Sequence, residues 1–238
     1  MSLALEAARK SLWMAYQPIV DCRAGRCHGY EALVRNGEPT LLAPHHLFSA
    51  AEQQGELFHL GRQIRAEVAA DLGRLSMAEP CRVFVNLHAR DLLDEALYDA
   101  RAPLSQHAHR IVYEITERET LDVVDDAEAR VARLRALGFR VAIDDLGAGF
   151  AGLSTLATLA PEVVKLDMSL VRSLHANPRK RTIVECLLEL CRRLDVELVA
   201  EGVESLAERD LLVNLGCSLL QGYFFGRPGR GFVPPASL

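Results

Sequence analysis

The chain has 238 residues, half of them hydrophobic, and a formal net charge of −5 at neutral pH. This length suits one β/α barrel or two small domains, and the apolar content supports a sizeable core, which excludes a disordered chain. The acidic balance argues against a nucleic-acid polymer as partner, whereas a small anionic ligand held through bound cations stays open.

Short apolar segments alternate along the chain with segments of helical spacing. The first two predicted strands are Leu12–Val20 and Tyr30–Val34, and a polar, glycine-bearing turn is predicted between them over Cys22–Gly29. Apolar residues at helical spacing then predict helices over Leu47–Gly55 and Phe58–Leu75.

Six further strands are predicted, and each ends at a polar residue. They are Arg82–Asn86, Ile111–Glu114, Val141–Asp145, Val163–Lys165, Leu198–Glu201 and Leu219–Gln221. Helices are predicted at Ala127–Leu137, Thr182–Leu194 and Ser205–Leu215, the last with a capping box formed by Ser205 and Glu208. This alternation predicts a parallel sheet, and about eight strands in this length predict closure into a barrel.

The active site of such a barrel lies at the carboxyl ends of its strands. The polar residues at the predicted ends are Glu31, Asn86, Glu114, Asp144, Asp145, Lys165, Glu201 and Gln221. So many carboxylates repel one another unless cations lie between them. Hard oxygen ligands without Cys or His favour Mg²⁺ or Mn²⁺, and two such ions bridged by carboxylate are an arrangement that cleaves phosphodiesters.

A series of ordered motifs carries a resemblance to a known family. The motifs are Gln17-Pro18-Ile19, Glu31-Ala32-Leu33-Val34-Arg35, Val85-Asn86-Leu87, Glu114-Ile115-Thr116-Glu117, Asp144-Asp145-Leu146-Gly147-Ala148-Gly149-Phe150, Lys165-Leu166-Asp167, Ala200-Glu201-Gly202-Val203-Glu204 and Gln221-Gly222-Tyr223. In this order they resemble the EAL domain, the family of cyclic di-GMP phosphodiesterases, over about residues 16–228.

The resemblance implies a fold and an activity. The fold is a modified triosephosphate-isomerase-type (β/α)8 barrel with one antiparallel strand, here as a single domain over residues 1–238. The activity is hydrolysis of cyclic di-GMP to linear pGpG with Mg²⁺ or Mn²⁺, two ions per site, in bacterial second-messenger signalling. Ca²⁺ is expected to inhibit, because it prefers longer bonds and higher coordination numbers. A homodimer is a further expectation, since the family often dimerises.

The resemblance also implies a role for each matching residue. The expected metal ligands are Glu31, Asn86, Glu114, Asp144 and, for the second ion, Asp145. The expected catalytic residues are Glu31, Lys165, which orients or activates the attacking water, and Glu201, which supports that water or the metals. The expected nucleotide contacts are Gln17, Leu33, Arg35 and Gln221, and the expected supporting residues are Glu117 and Glu204.

Two other interpretations compete with this one. The family's usual Phe, Thr and Tyr in the loop after the aspartates are replaced by Leu146, Ala148 and Phe150, so a weak or inactive cyclic di-GMP receptor or interaction domain is the alternative. The loop also spells G-x-G-x-x-G, the dinucleotide-fold pattern, but it lies past mid-chain and follows two aspartates that repel a pyrophosphate.

The remaining features predict a cytoplasmic protein. The first sixteen residues include Glu6, Arg9 and Lys10, so they lack the apolar region of a secretory signal. No stretch approaches the ~20 apolar residues of a membrane span. The six cysteines form no C-x-x-C pair, which favours reduced thiols. The adjacent His45 and His46 are assigned to a surface loop, and His88 to a structural role.

Overall fold

The computed structural model describes residues 2–74, 81–116, 124–147 and 152–236. Its strands are β1 Trp13–Asp21, β2 Arg26–Arg35, β3 Arg82–Asn86, β4 Ile111–Thr116, β5 Arg140–Leu146, β6 Val163–Leu166, β7 Glu197–Ala200, β8 Leu219–Gln221 and β9 Gly229–Arg230. Its α-helices are α1 Leu3–Lys10, α2 Pro44–Gln53, α3 Leu57–Arg74, α4 Ala127–Ala136, α5 Gly152–Leu159, α6 Met168–Val171, α7 Pro178–Arg193 and α8 Leu206–Leu215. Within the described ranges, no helix combines the length and the apolarity needed to cross a bilayer.

The strands close into a barrel. Strands β2 to β8 are parallel neighbours in chain order, and β1 completes the ring by pairing antiparallel with both β2 and β8. Only a short turn joins β1 to β2, and such a connection allows only antiparallel pairing, because parallel strands need a crossover of a dozen or more residues. The predicted barrel with one antiparallel strand is therefore confirmed.

Several predicted boundaries shift. Strand β2 begins at Arg26 rather than Tyr30 and runs to Arg35, because it pairs with β1 along almost its whole length. The turn predicted over Cys22–Gly29 is correspondingly shorter. Sequence patterns also missed α1, α5 and the short β9, which pairs with β1 at Ala15 and Tyr16. The capping box of α8 is present as predicted.

The helices pack on the outer face of the barrel. In α3, the buried residues Leu60, Ile64 and Val68 recur every four positions and belong to the core cluster that joins the helices to the strands. Burial of each such side chain contributes roughly 1.5–3 kcal/mol. This outer core holds the strand ends in fixed positions.

The lower layer of the barrel interior is apolar, and its residues indicate which residues form the layer above it. It consists of Ile19, Phe84, Val112, Ala142, Val163, Val199 and Leu219. Because strand side chains alternate between the two faces, residues two positions further along the parallel strands also face the interior. Those residues are Asn86, Glu114, Asp144, Lys165, Glu201 and Gln221. Because β1 runs antiparallel, its residue of the upper layer comes first in the sequence: Gln17 lies two residues before Ile19 of the lower layer.

Strand β2 follows the same rule with a glycine in the lower layer. A Cβ atom on Gly29 would lie 2.7 Å from the carbonyl oxygen of Arg82 and 3.2 Å from the ring of Phe84. The glycine therefore leaves room for the ring, and Glu31, two residues on, lies in the upper layer. Glu31 was predicted to lie at the end of its strand, but β2 continues for four more residues.

Candidate active site

Lys165 lies at the centre of the upper layer. Its side chain is 1% exposed, and its Nζ lies 2.5 Å from Glu201 Oε1, 2.8 Å from Glu114 Oε1, 3.3 Å from Asp144 Oδ1 and 3.4 Å from Glu31 Oε2. One ammonium therefore contacts four carboxylates on four different strands or strand ends. The sequence predicted that these residues gather at one end of the barrel, but not which of them contact Lys165.

Amide side chains complete the surroundings of Glu31. Asn86 donates a hydrogen bond to Glu31 Oε1 at 3.1 Å, and Gln221 donates to Glu31 Oε2 at 2.6 Å and to Gln17 Oε1 at 3.2 Å. Gln17 in turn donates to the carbonyl oxygen of Gly226 at 3.0 Å. The predicted residues of β1, β2, β3 and β8 therefore form one hydrogen-bonded group.

Asp145 joins the site through an irregular backbone. Two successive residues on a regular strand point to opposite faces, so Asp144 and Asp145 would diverge. Instead, the pairing of β5 with β6 shifts register between Ile143 and Leu146, and Asp145 has a φ of 59°, in the left-handed region. As a result, ligand oxygens of Asp144, Asp145 and Glu201 lie within 4.8 Å of one another.

Burial perturbs the acids of this cluster. It raises the pKa of Glu114 well above its ordinary value, against the opposing charge of Lys165. Burial also raises the pKa of Asp144, and it raises the pKa of Glu201 to about 8. In the absence of a further cation, part of this cluster therefore carries protons at neutral pH.

The pKa values of Glu31 and Lys165 both shift in the direction that favours the charged form. Burial alone would raise the pKa of Glu31, but the charge of Lys165 and the amide donors Gln221 and Asn86 outweigh it and lower the pKa. Burial likewise disfavours the charged form of Lys165, yet the surrounding carboxylates raise its pKa well above the ordinary value. Lys165 therefore stays an ammonium throughout the neutral range.

The raised pKa of Glu201 predicts a pH dependence of the metal-free protein. The ordinary value is 4.5 and the folded value is about 8, so between these limits the folded protein holds a proton that the unfolded chain has released. The stabilisation from this group is complete below the lower limit and is lost as the pH rises through the upper one. We expect the free energy of unfolding in EDTA to fall less steeply between pH 5 and 8 for Glu201→Gln than for the wild type. Urea denaturation across this range measures both slopes, and equal slopes would contradict the assignment.

The donor set fits divalent metal ions that prefer oxygen. The site holds five carboxylates: Glu31, Glu114, Asp144 and Glu201 contact the Lys165 ammonium, and Asp145 lies near Asp144 and Glu201. Within the described residues, Glu114 Oε2 and Gln221 Oε1 are buried acceptors with no hydrogen-bond donor. Buried acceptors normally have partners, and excess negative charge requires compensation. Mg²⁺ or Mn²⁺ satisfies both conditions with oxygen ligands alone.

Two cavities open on either side of Glu31 and Leu33, which line both of them. The large cavity, of about 530 Å³, also has Asn86, Asp144 and Asp145 in its wall, together with the apolar or aromatic residues Pro44, His45, Phe48, Ile64, Leu87 and His88. The small cavity, of about 220 Å³, is lined by Gln17, Glu31, Leu33, Met168, Arg172, Glu201, Gly202, Glu204, Gln221, Gly222 and Tyr223. The acidic cluster therefore lies where the two cavities meet.

Two predicted site residues, Arg35 and Glu204, stand apart from the cluster. Arg35 is half-buried at the end of β2, donates to the carbonyl oxygen of Val34 at 2.8 Å, and is not among the described wall residues of either cavity. Glu204 lines the small cavity and forms an ion pair with Arg172 at 2.9 Å. Glu117 lies outside the described residues, as does the loop over residues 148–151.

The cavity walls contain residues that the strand-end pattern did not single out. His45 belongs to α2 rather than to a loop, and both it and His88 line the large cavity. The His88 ring stacks against Phe48, with ring centroids 6.3 Å apart. Arg172 and Tyr223 line the small cavity. These residues follow predicted strands, and this position could have indicated a role in the site, since binding residues concentrate in the loops at this end of a barrel.

Comparisons with known proteins agree with this geometry. A model of the EAL domain matches residues 2–228. A relative from Escherichia coli strain K12, named "Probable cyclic di-GMP phosphodiesterase PdeG", is 32% identical over 221 residues, or 90% of this chain and 44% of the relative. The chain thus spans less than half the length of that relative.

Solved structures superpose closely on the chain. Klebsiella pneumoniae BlrP1, in complexes of cyclic di-GMP with manganese or calcium, gives a TM-score of 0.83 at 31% identity, over 96% of this chain and 59% of that chain. A standalone EAL protein from Vibrio cholerae O395, in a form bound to c-di-GMP, gives a TM-score of 0.79 at 30% identity, over 94% of this chain and 95% of that chain.

The fold and the site together define a closed β/α barrel with a buried acidic centre at the carboxyl ends of its strands. The chain belongs to the EAL domain family. The resemblance inferred from the ordered motifs is thereby confirmed.

Proposed function

We propose that this domain hydrolyses cyclic di-GMP to linear pGpG, with Mg²⁺ or Mn²⁺ as cofactor. The observation that carries the proposal is the contact of Lys165 with four carboxylates at a point between two cavities. A cyclic dinucleotide has two bases on either side of a phosphate-bearing ring. Two cavities that flank a cation-binding centre match that division.

The ligand set that we propose for the metals is the one that the family resemblance implies, and its oxygen donors suit Mg²⁺ or Mn²⁺. Glu31, Asn86, Glu114 and Asp144 would hold one ion, and Asp145 would help to hold a second. Bound there, such ions would polarise the phosphoryl oxygen and lower the pKa of the attacking water. The proximity of ligand oxygens of Asp144, Asp145 and Glu201, all within 4.8 Å of one another, supports a role for Glu201 in holding the ions as well.

Lys165 would act as a donor and a fixed positive charge. As an ammonium, it would orient the attacking water rather than take its proton. A preorganised charge of this kind stabilises negative charge that develops in the transition state. Gln17, Leu33 and Gln221 would contact the nucleotide, and Arg35 would reach a phosphate only after leaving the Val34 carbonyl.

The decisive experiment is hydrolysis of cyclic di-GMP by the purified chain, resolved by chromatography. We expect pGpG to form with Mg²⁺ or Mn²⁺ and not with EDTA. Ca²⁺ alone is expected to lower the rate by about tenfold or more, because its longer bonds misplace the reacting groups. Saturable nucleotide binding without product would instead establish a receptor, and full activity in Ca²⁺ would contradict the proposed metal chemistry.

Three broader expectations stay predictions. They are a single barrel domain over residues 1–238, a cytoplasmic location and a homodimer. The family match over residues 2–228 supports the first of them.

A further inference from the structure

The small cavity is built mainly from three successive segments that follow strands. Met168 and Arg172 follow β6, Glu201 and Glu204 follow β7, and Tyr223 follows β8. The last two segments are joined by backbone hydrogen bonds that involve residue 203: its N–H donates to the carbonyl of residue 221 at 3.0 Å, and its carbonyl accepts from residue 224 at 3.1 Å. The first two segments meet through the ion pair of Arg172 with Glu204, whose partners are both about half exposed.

One buried carboxylate, outside the cavity wall, accepts from the backbone of Glu204 and from the backbone N–H directly after Arg172. Glu208 on α8 is 7% exposed. Its Oε2 accepts from the N–H of Glu204 at 3.0 Å and from the N–H of Ser205 at 3.2 Å. Its Oε1 accepts from the N–H of Ser173, directly after Arg172, at 3.3 Å.

One of these bonds is made to a residue with strained backbone. Ser173 has a φ of 57°, an unfavourable conformation for a residue other than glycine, so its position depends on external partners. The carbonyl oxygen of Arg172 also accepts from Lys180 Nζ at 2.9 Å. Burial alone would raise the pKa of Glu208, but the backbone donors at residues 204, 173 and 205 outweigh it and lower the pKa, so the group is a carboxylate at neutral pH.

We propose that Glu208 is a positioning residue for substrate binding, because its carboxylate aligns the Arg172–Glu204 wall of the small cavity. This inference rests on the proposed function, since the cavity is taken to hold one half of the cyclic dinucleotide. Preorganised walls reduce the ordering that accompanies binding. Loss of the carboxylate therefore weakens substrate binding while the acidic cluster around Lys165 keeps its contacts.

The competing explanation is that Glu208 serves only as part of the N-terminal cap of α8. Ser205 provides the matched control, because its Oγ accepts from the N–H of Glu208 at 3.3 Å in the same capping box. Ser205→Ala removes that cap bond and leaves the three backbone bonds to the Glu208 carboxylate. Glu208→Ala removes the carboxylate bonds and leaves the Ser205 hydroxyl.

The test compares these two variants with the wild type in steady-state hydrolysis of cyclic di-GMP and in amide hydrogen exchange. For Glu208→Ala we expect KM to rise by about tenfold or more with kcat within about threefold, and for Ser205→Ala we expect KM within about twofold of the wild type. Exchange is expected to accelerate at residues 172–174 and 203–206 in Glu208→Ala, and at residues 172–174 it should be unchanged in Ser205→Ala. Equal effects of the two variants on KM, or unchanged exchange at residues 172–174 in Glu208→Ala, would overturn the proposal.

Two further arms keep the test decisive. If Glu208→Ala does not fold, Glu208→Gln replaces it, because its one carbonyl oxygen can keep the bonds to Glu204 and Ser205 while its NH₂ group cannot accept from Ser173. Exchange is then expected to accelerate at residues 172–174 alone, and its absence there would overturn the proposal. If the wild type does not hydrolyse the nucleotide, the proposed function fails, while the exchange measurement still decides whether Glu208 holds the two segments together.

Discussion

Replacement of Glu31 by glutamine is expected to lower the rate of cyclic di-GMP hydrolysis by about 10³-fold or more. Glu31 lies at the junction of the two cavities and contacts Lys165, Asn86 and Gln221. The substitution keeps the size of the side chain but removes one negative charge and one proposed anionic metal ligand. Loss of a group that stabilises charge in the transition state has an effect of this order.

The same substitution has a second expected readout. Metal that binds the folded protein raises its apparent stability by mass action. We therefore expect Mn²⁺ to raise the melting temperature of Glu31→Gln less than that of the wild type. Glu185→Gln is the matched control, since Glu185 is exposed on α7 and pairs only at the surface, 3.6 Å from Arg181. Turnover by Glu31→Gln at the rate of the control would contradict the assignment of Glu31 to the metal site.

Replacement of Lys165 by methionine is expected to affect both turnover and stability. Without the ammonium, the four carboxylates that it contacts have no cationic side chain against them within the described residues, and removal of one partner from a buried ion pair costs about 3–5 kcal/mol. We expect a large drop in melting temperature in EDTA, and a larger drop at pH 8 than at pH 6, because protonation of the acids relieves their repulsion at the lower pH. Mn²⁺ should restore more stability to this variant than to the wild type, since it supplies the missing positive charge.

The catalytic effect of the same variant separates two roles. If Lys165 acts where charge develops, kcat falls by about 10²–10³-fold while the dissociation constant for cyclic di-GMP changes little. An equal loss in binding and in rate would make Lys165 a ground-state contact instead. Lys10→Met is the control, because Lys10 is exposed and pairs with Glu6 at the surface, where an ion pair adds little to stability.

The sequence by itself determined the barrel and the composition of its centre. Strands that are apolar throughout and alternate with helical segments have one stable solution, a parallel sheet covered by helices. A period of two along each strand then puts Glu114, Asp144 and Lys165 in the layer above Val112, Ala142 and Val163. These are local rules, so they can be applied to the residues without knowledge of their neighbours in space.

The tertiary structure decided features that depend on contacts between distant segments. A strict period of two would turn Asp145 away from the site, and only the interrupted pairing with β6 and a left-handed φ bring it close to the carboxylates of Asp144 and Glu201. The extension of β2 beyond Glu31 arises from its pairing with β1, which no pattern within β2 encodes.

The walls of the cavities were likewise beyond local patterns. Arg172 meets Glu204 across 32 positions of sequence, and Glu208 meets Ser173 across 35. Such contacts depend on how helices and loops stack around the finished barrel, whereas the strand-end residues are placed by the barrel itself. The chemistry of the centre was therefore readable from the sequence, and the shape of the space around it was decided by packing.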